Sequence, residues 1–245
     1  MRRAGALLAF GLLSACNLAV PDDSDRPDTV RDFPRAQRAV SAASGQFSNE
    51  TQRDSVGEAQ KVMDLAEIRP GMTVADIGAG EGYYTVRLAE KVGRKGRVLA
   101  EDIDGDALSR LAQRVERERL ENVSLRLGTP DDAKLPENSF DRVFMVHMYH
   151  EVEEPYAFLW RLWPSLRKDG RVIVVDVDRP TNQHGIDPLL LSCEFERVGF
   201  QLEEFKDAPE LAGYYAQFKR AATRPEPAAI KPCRRDTPAA PGASH

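Results

Sequence analysis

The fold is decided by the stretch Val74–Gly82, which reads VADIGAGEG. It begins as a short β-rich run, and Asp76 near its end is followed by three alternating glycines, Gly78, Gly80 and Gly82. A helical pattern opens directly behind them at Tyr83. Because glycine has no Cβ and tolerates positive φ, a ligand can lie against the backbone of this turn, and amides at the start of the following helix can hold its polar groups. The charge of Asp76 favours a cationic or amine-bearing ligand over a pyrophosphate.

The spacing of the glycines separates two classes of nucleotide-binding turn. The dinucleotide fingerprint is G-x-G-x-x-G, whereas this chain has G-x-G-x-G, with Tyr83 at the position of the third glycine of the fingerprint. An acidic residue followed by G-x-G-x-G resembles the first motif of the class I S-adenosylmethionine-dependent methyltransferases. The resemblance implies S-adenosylmethionine as the cofactor and contacts to it from Asp76, Gly78, Ala79, Gly80 and Gly82.

Alternating strand and helix patterns continue along the chain, which predicts a parallel sheet covered on both faces. Strands are expected at 73–77, 97–103, 123–127, 140–147 and 171–177, and helices at 54–66, 83–92, 106–120, 156–166 and 188–198. Two further strands at 200–205 and 214–221 fit the antiparallel hairpin that closes the methyltransferase sheet. The expected fold class is α/β: one doubly wound, Rossmann-like domain over residues 54–221, with a mainly parallel seven-stranded sheet.

Further cofactor contacts are expected at strand ends, because ligands of open α/β sheets bind beyond the carboxyl ends of the strands. The second strand ends at Asp102, which the resemblance implies as the acceptor of the ribose hydroxyls, and Ile103 would pack on the adenine. After the third strand, Asp131 or Asp132 would accept the adenine amino group. The sequence does not separate these two aspartates, and a capped turn explains them equally well.

The fourth strand is followed by two of the chain's four histidines. This stretch, Met145–Val152, resembles the histidine-bearing segment of many small-molecule methyltransferases. His147 is expected to contact the methionine part of the cofactor. His150 is the first candidate for a catalytic base, His147 is the second, and Glu151 is a candidate to orient either ring. A buried structural histidine is the competing interpretation, and no metal cluster is expected.

The amino terminus predicts export. Arg2 and Arg3 precede a short apolar run, and Leu13-Ser14-Ala15-Cys16 fits a bacterial lipobox, so residues 1–15 are expected to be a lipoprotein signal peptide and Cys16 the lipidated residue. Asn17 is not the aspartate that retains lipoproteins at the inner membrane. The expected location is therefore the periplasmic side of the cell envelope, with the outer membrane favoured. The alternatives are a plain signal peptide and a translation start further along the chain.

The segments that flank the domain are polar. Residues 16–53 are expected to form a tether with a short helix within Arg31–Val40, and residues 222–245 a disordered Pro/Ala-rich tail. The sequence allows a disulfide between Cys193 and Cys233 but does not establish it. The 245-residue chain has a net charge of −5, so no electrostatic argument favours a nucleic-acid partner. The expected partners are a small-molecule substrate and, through the lipid alone, a membrane.

Export conflicts with a cofactor that is made in the cytosol, and three hypotheses follow. The chain is an S-adenosylmethionine-dependent methyltransferase that acts on a small-molecule acceptor, or an exported binding protein that kept the fold and lost the reaction. The third hypothesis is an NAD(P)-linked oxidoreductase, which Tyr83 and Asp76 disfavour. Binding of S-adenosylmethionine discriminates the first hypothesis from the other two.

Overall fold

A computed structural model describes residues 23–40, 50–211 and 213–233 of the chain. The strands of its sheet are β1 (Thr73–Ile77), β2 (Arg97–Asp102), β3 (Val123–Leu127), β4 (Phe140–Val146), β5 (Leu166–Asp176), β6 (Phe200–Ala208) and β7 (Gly213–Arg220). The helices are α1 (Glu50–Ser55), α2 (Glu58–Leu65), α3 (Tyr83–Val92), α4 (Gly105–Arg117), α5 (Pro155–Leu162) and α6 (Pro188–Arg197).

The seven strands form a single sheet in the order β3-β2-β1-β4-β5-β7-β6. The first five in chain order pair in parallel, and β7 pairs antiparallel with both β5 and β6. The predicted fold class is confirmed, including the antiparallel hairpin at the carboxyl terminus. The strand order reverses between β1 and β4, and the crevice at such a reversal is where open α/β sheets bind ligands.

The two faces of the sheet are buried in two separate hydrophobic clusters. Val143 of β4 and Val172 of β5 pack on one face, together with α5 and α6. Phe144 and Ile173, their neighbours along the same strands, pack on the other face with α2 and α3. Successive side chains of a strand point to opposite faces, so a central strand covered on both sides needs a continuous apolar run. This requirement explains why β4 and β5 are apolar throughout their central residues.

The region before β1 and the later strands depart from the predicted boundaries. The single helix expected at 54–66 is two helices, because Gly57 between them adopts a left-handed φ of 64°. Strand β5 begins at Leu166 rather than 171, and its pairing with β4 shifts register between Phe140 and Arg142. Strand β6 runs three residues further than expected, to Ala208.

The amino-terminal segment 23–40 is docked on the domain, so the expected tether is wrong for these residues. Val30 is fully buried and Phe33 nearly so. The Arg26 guanidinium donates to Glu154 at 2.6 and 2.7 Å. Residues 31–40, where a short helix was expected, contain no helix, and the 3-10 turn of this segment lies just before them at Asp28–Val30. The polar composition indicated a solvated tether, but arginine side chains of this segment, such as Arg26, bind carboxylates of the domain instead of water.

The carboxyl-terminal segment up to Cys233 is also packed, which corrects the tail expected from residue 222. Ile230 and Cys233 are buried. A disulfide joins Cys193 of α6 to Cys233, 40 residues later. The Trp160 indole nitrogen donates to the Pro225 carbonyl at 2.9 Å. The bridge and these contacts fix the segment against α5 and α6.

The predicted signal peptide and Cys16 lie outside the described residues, as do residues 41–49 and 234–245. Within residues 23–40, 50–211 and 213–233, no helix is both long and apolar enough to cross a bilayer.

Candidate active site

The glycine-rich turn between β1 and α3 has the open backbone that a ligand needs. Gly78, Gly80 and Gly82 all have positive φ, at 66°, 54° and 91°. A Cβ on Gly82 would lie 2.3 Å from the Leu111 Cδ1, so this glycine lets α4 pack against the turn. A Cβ on Gly80 would meet nothing within 4 Å. Gly80 therefore faces open space, where a ligand can pass along the backbone.

Asp102 connects the end of β2 to this turn. Its Oδ2 accepts from the Gly80 amide at 2.8 Å, and its Oδ1 accepts from the Asp104 amide at 2.9 Å. Ile103 beside it is 54% exposed. A carboxylate held next to an exposed apolar side chain suits a sugar with an attached aromatic base. The geometry thus fits the roles expected for both residues.

Asp76 is buried beneath the turn. Its carboxylate accepts from the Thr85 hydroxyl at 2.6 Å. Burial raises the pKa of Asp76 to about 6, and the Thr85 hydrogen bond and the charge of Arg53 oppose this rise. At neutral pH the site therefore holds a buried negative charge, which a ligand ammonium group would stabilise.

Glu101, the neighbour of Asp102 on β2, was not among the expected site residues. It is 2% exposed, and burial together with the charge of Asp102 raises its pKa to about 8. Among the described residues its Oε1 has no hydrogen-bond partner. A Cβ on Gly128 would fall 1.7 Å from that oxygen, so a larger residue there would displace the Glu101 carboxyl. Glu101 is therefore a neutral carboxyl at pH 7 within the wall of the crevice.

The loop after β3 distinguishes the two aspartates that the sequence left equivalent. The Asp131 carboxylate pairs with Arg161 and accepts from the Thr29 hydroxyl at 2.9 Å. It is thus engaged in holding the amino-terminal segment. Asp132 accepts from the Lys134 amide at 2.7 Å, and its charge contributes to the raised pKa of Glu101. Of the pair, Asp132 is better placed for a cofactor contact.

His147 lies just past the end of β4 with a left-handed φ of 56°. Its Nε2 is 3.5 Å from the Glu58 Oε2. Glu58 also accepts from Arg53 at 2.6 Å and from the Tyr84 hydroxyl at 3.0 Å. Burial alone would raise the pKa of Glu58, but the hydrogen bonds of His147 and Arg53 outweigh it and hold the pKa at about 2. This arrangement links α2 to the end of β4.

His150 is fully buried and is oriented by a residue that the sequence did not single out. Its Nδ1 lies 2.9 and 3.0 Å from the two carboxylate oxygens of Asp176, the last residue of β5. A carboxylate acceptor beside Nδ1 favours the tautomer with its proton on Nδ1, in which the lone pair of the ring lies on Nε2. The Oε1 of Glu151 is 3.9 Å from that nitrogen. Asp176, rather than the expected Glu151, therefore orients the His150 ring.

A third group joins this pair from the loop after β5. The His184 ring stands edge-on to the His150 ring, with centroids 5.8 Å apart. One ligand atom from each of His150, Glu151 and His184 lies within 4.8 Å of the others. The sequence predicted no metal cluster, and the structure brings together three side chains of ligating type.

A groove of about 820 Å³ lies away from these residues. It is lined by the end of α6, the start of β6 and the segment 221–231. None of the expected site residues borders it, so we assign the chemistry to the crevice at the carboxyl ends of the strands.

Comparisons with known proteins agree with this geometry. Residues 68–189 match the methyltransferase domain family. The chain is 28% identical over 122 residues to the demethylmenaquinone methyltransferase of Bacillus cereus (strain ATCC 10987 / NRS 248), which covers 50% of this chain and 52% of that protein. A Bacillus anthracis (strain A0248) protein of the same name is 27% identical over the same length. The chain thus spans about half the length of the curated relatives it matches.

Solved structures show the same fold at low sequence identity. A SAM-dependent methyltransferase from Aquifex aeolicus superposes with a TM-score of 0.62 at 24% identity, over 68% of this chain and 90% of the other. The [4+2]-cyclase SpnF superposes with a TM-score of 0.61 at 16% identity, over 78% and 89%. Proteins named for different reactions therefore share this architecture, and the reaction must be argued from the site.

Proposed function

We propose that the chain transfers a methyl group from S-adenosylmethionine to a small-molecule acceptor, a proposal supported by the match of residues 68–189 to the methyltransferase domain family. The observation that carries the proposal is the pairing of an open glycine turn with an anchored carboxylate. The Gly80 backbone faces open space, and Asp102 is hydrogen-bonded directly to the Gly80 amide. This pairing provides a place for an adenosyl group at the reversal of strand order.

Different residues of the crevice would contact different parts of the cofactor. Asp102 would accept from the ribose hydroxyls, Ile103 would cover the adenine, and Asp132 would accept from the adenine amine. Asp76 would stabilise the ammonium group of the methionine part, with Gly78 and Gly80 supplying backbone. When bound, S-adenosylmethionine supplies a methyl carbon already activated by the sulfonium. The protein then contributes mainly alignment and exclusion of water.

The acceptor side is the turn after β4. Met148 packs over Gly78, with its Cγ 3.0 Å from where a Cβ would lie, so this turn adjoins the glycine turn. Two residues later, His150 offers the Nε2 lone pair, and Asp176 holds the ring in that tautomer. We infer that this nitrogen would take the proton of an acceptor hydroxyl or amine that reaches it. His147 is tied to Glu58 and serves to position the turn.

The test is calorimetric titration of the full chain with S-adenosylmethionine and S-adenosylhomocysteine. We expect micromolar binding of both. Asp102→Ala should weaken binding by roughly 30-fold, since hydrogen bonds to a charged group contribute about 2 kcal/mol. The matched control is Asp106→Ala, which removes an exposed carboxylate from the first turn of α4 and should leave affinity unchanged.

Two results would count against this function. Unchanged affinity in Asp102→Ala would remove Asp102 from the site. A folded wild-type protein that binds neither compound would favour an exported binding protein without methyl transfer. Once binding is established, demethylmenaquinone, after which the Bacillus relatives are named, is the first acceptor to assay.

We also propose that the protein is exported and lipid-anchored at Cys16. The Cys193–Cys233 disulfide supports this location, because such bridges persist mainly in oxidising compartments. Cell fractionation of wild type and Cys16→Ser provides the test. The wild type should sediment with membranes and the variant should be soluble; a wild type that is soluble with residues 1–15 uncleaved would refute the anchor.

A further inference from the structure

We propose that His150, Glu151 and His184 bind a divalent transition-metal ion, with zinc as the ion that fits best. Two imidazoles and one carboxylate are a ligand set of known catalytic zinc sites. The three ligand atoms lie within 4.8 Å of one another. For zinc bonds of about 2.0 to 2.1 Å in a tetrahedral arrangement, neighbouring ligand atoms stand about 3.3 Å apart. Binding the ion therefore requires the side chains to draw closer together by rotation.

The support behind His150 is the strongest part of the argument. A metal-binding histidine usually donates its other ring nitrogen to a carboxylate, which fixes the tautomer and raises the basicity of the ligating nitrogen. The Asp176 carboxylate accepts from the His150 Nδ1 at 2.9 Å, and both side chains are fully buried. The nitrogen directed toward Glu151 is thus Nε2, the one that can ligate.

The loop that carries His184 is fixed in place rather than free to move away. The Ile186 amide donates to the Val177 carbonyl at 2.8 Å, and the Tyr214 hydroxyl donates to the Ile186 carbonyl at 3.0 Å. A Cβ on Gly185 would lie 2.4 Å from the Val177 carbonyl oxygen, so the close approach depends on glycine. His184 therefore stands beside His150 before any ion arrives.

The composition of the cluster decides which cations suit it. Magnesium and calcium prefer oxygen ligands throughout, whereas two imidazole nitrogens favour zinc and its neighbours in the first transition row. Three protein ligands also leave at least one coordination position for water or an acceptor atom, as in catalytic rather than structural zinc sites. The cluster therefore matches an ion with an open position.

This inference deepens the proposed function, although binding of the ion does not depend on methyl transfer. The Nε2 lone pair cannot hold an ion and take a proton at the same time. With zinc bound, His150 would hold the ion instead of taking a proton; the ion would lower the pKa of an acceptor hydroxyl, and the released proton would pass to solvent water. Zinc and the cofactor would then both lie at the turn after β4.

The experiment uses the full-length protein, treated with EDTA and dialysed. Zinc chloride is titrated calorimetrically, and cobalt chloride is added in parallel, because the visible spectrum of cobalt reports its coordination. We expect one equivalent of zinc to bind at micromolar concentration or below, and a cobalt spectrum without thiolate bands. Glu151→Gln and His184→Ala should each weaken zinc binding by at least about tenfold.

Two comparisons make the result decisive. Glu153→Gln, an exposed carboxylate two residues from Glu151, is the matched control and should bind zinc like the wild type. Titration with S-adenosylhomocysteine on the same preparations keeps the two proposals apart. Cofactor binding without zinc binding, or zinc binding that survives both His184→Ala and Glu151→Gln, would overturn the metal site. Zinc binding without cofactor binding would overturn the methyltransferase proposal and leave the metal site standing.

Discussion

The buried ion pair between Arg38 and Glu194 gives the sharpest prediction about the fold. The Arg38 Nε donates to the Glu194 Oε1 at 2.9 Å, and the two side chains are 0% and 1% exposed. The same guanidinium donates to the carbonyls of His150 at 3.2 Å and Val152 at 2.9 Å. Glu194 also accepts from the Tyr149 hydroxyl at 2.8 Å. The pair thus joins the amino-terminal segment, α6 and the turn that holds His150.

Arg38→Ala should destabilise the protein by about 3 to 5 kcal/mol, the usual cost of removing one partner of a buried pair. Most of this cost comes from leaving the Glu194 charge buried without its cation. Burial raises the pKa of Glu194, so this carboxyl can take up a proton once Arg38 is gone. We therefore expect a larger loss at pH 8 than at pH 5.

Urea unfolding followed by circular dichroism, with the disulfide intact, measures this loss. The double variant Arg38→Met with Glu194→Gln removes both charges and should recover most of the stability. Arg31→Ala breaks the exposed pair with Asp28 and serves as the matched control, with no measurable change expected. If Arg38→Ala costs less than about 1 kcal/mol at both pH values, the docking of residues 23–40 is refuted.

Three further predictions concern titration and covalent linkage. The pKa of Glu101 is about 8 when folded and 4.5 when not, so the folded state binds more protons in this window and stability should fall as pH rises from 4.5 to 8. Glu101→Gln should flatten this dependence and raise the free energy of unfolding at pH 8 by a few kcal/mol, since one unit of pKa shift corresponds to about 1.4 kcal/mol. A variant whose stability varies with pH as the wild type's does would contradict this prediction. Replacing Cys193 and Cys233 by serine should cost about 3 to 4 kcal/mol in urea for a 40-residue loop, and reduced wild type should match the variant. Affinity for S-adenosylmethionine should fall as pH drops through about 6, where Asp76 gains its proton; Asp76→Asn should bind more weakly without this dependence, and the same dependence in the variant would exclude Asp76 as its source.

The sheet was predictable from sequence because its signals are local. The run to Ile77, the glycines after it and the helix from Tyr83 each follow from neighbouring residues, and the structure has β1 and α3 at the predicted bounds. The expected hairpin is likewise present as β6 and β7. Local periodicity and turn chemistry suffice for elements of this kind.

The flanking segments were mispredicted because their order depends on distant partners. Arg26 finds Glu154, and Cys233 finds Cys193, across separations of 128 and 40 residues. A polar stretch with few apolar residues resembles a linker until those partners are known. The apolar side chains of Val30 and Phe33, both buried in the structure, were local signs of docking in residues 23–40.

The cofactor-binding part of the candidate site was predictable from the sequence, whereas the prediction for the acceptor-binding part was incomplete. Asp102 follows from a motif, and the structure ties it to the glycine turn. Asp176 and His184 lie in no motif. Both nevertheless follow from the fold, because the residues after β4 and those at the end of β5 meet at one edge of a parallel sheet. A comparison of the residues that follow all the parallel strands would have grouped His184 with His150.

The most direct test of the central claim is a crystal structure of the protein with S-adenosylhomocysteine. We predict that the ribose hydroxyls hydrogen-bond to Asp102, that the adenine lies against Ile103, and that the sulfur points toward the turn from His147 to Glu151. A ligand bound away from the glycine turn, or crystals grown at saturating ligand that show the crevice without it, would contradict the proposed cofactor site.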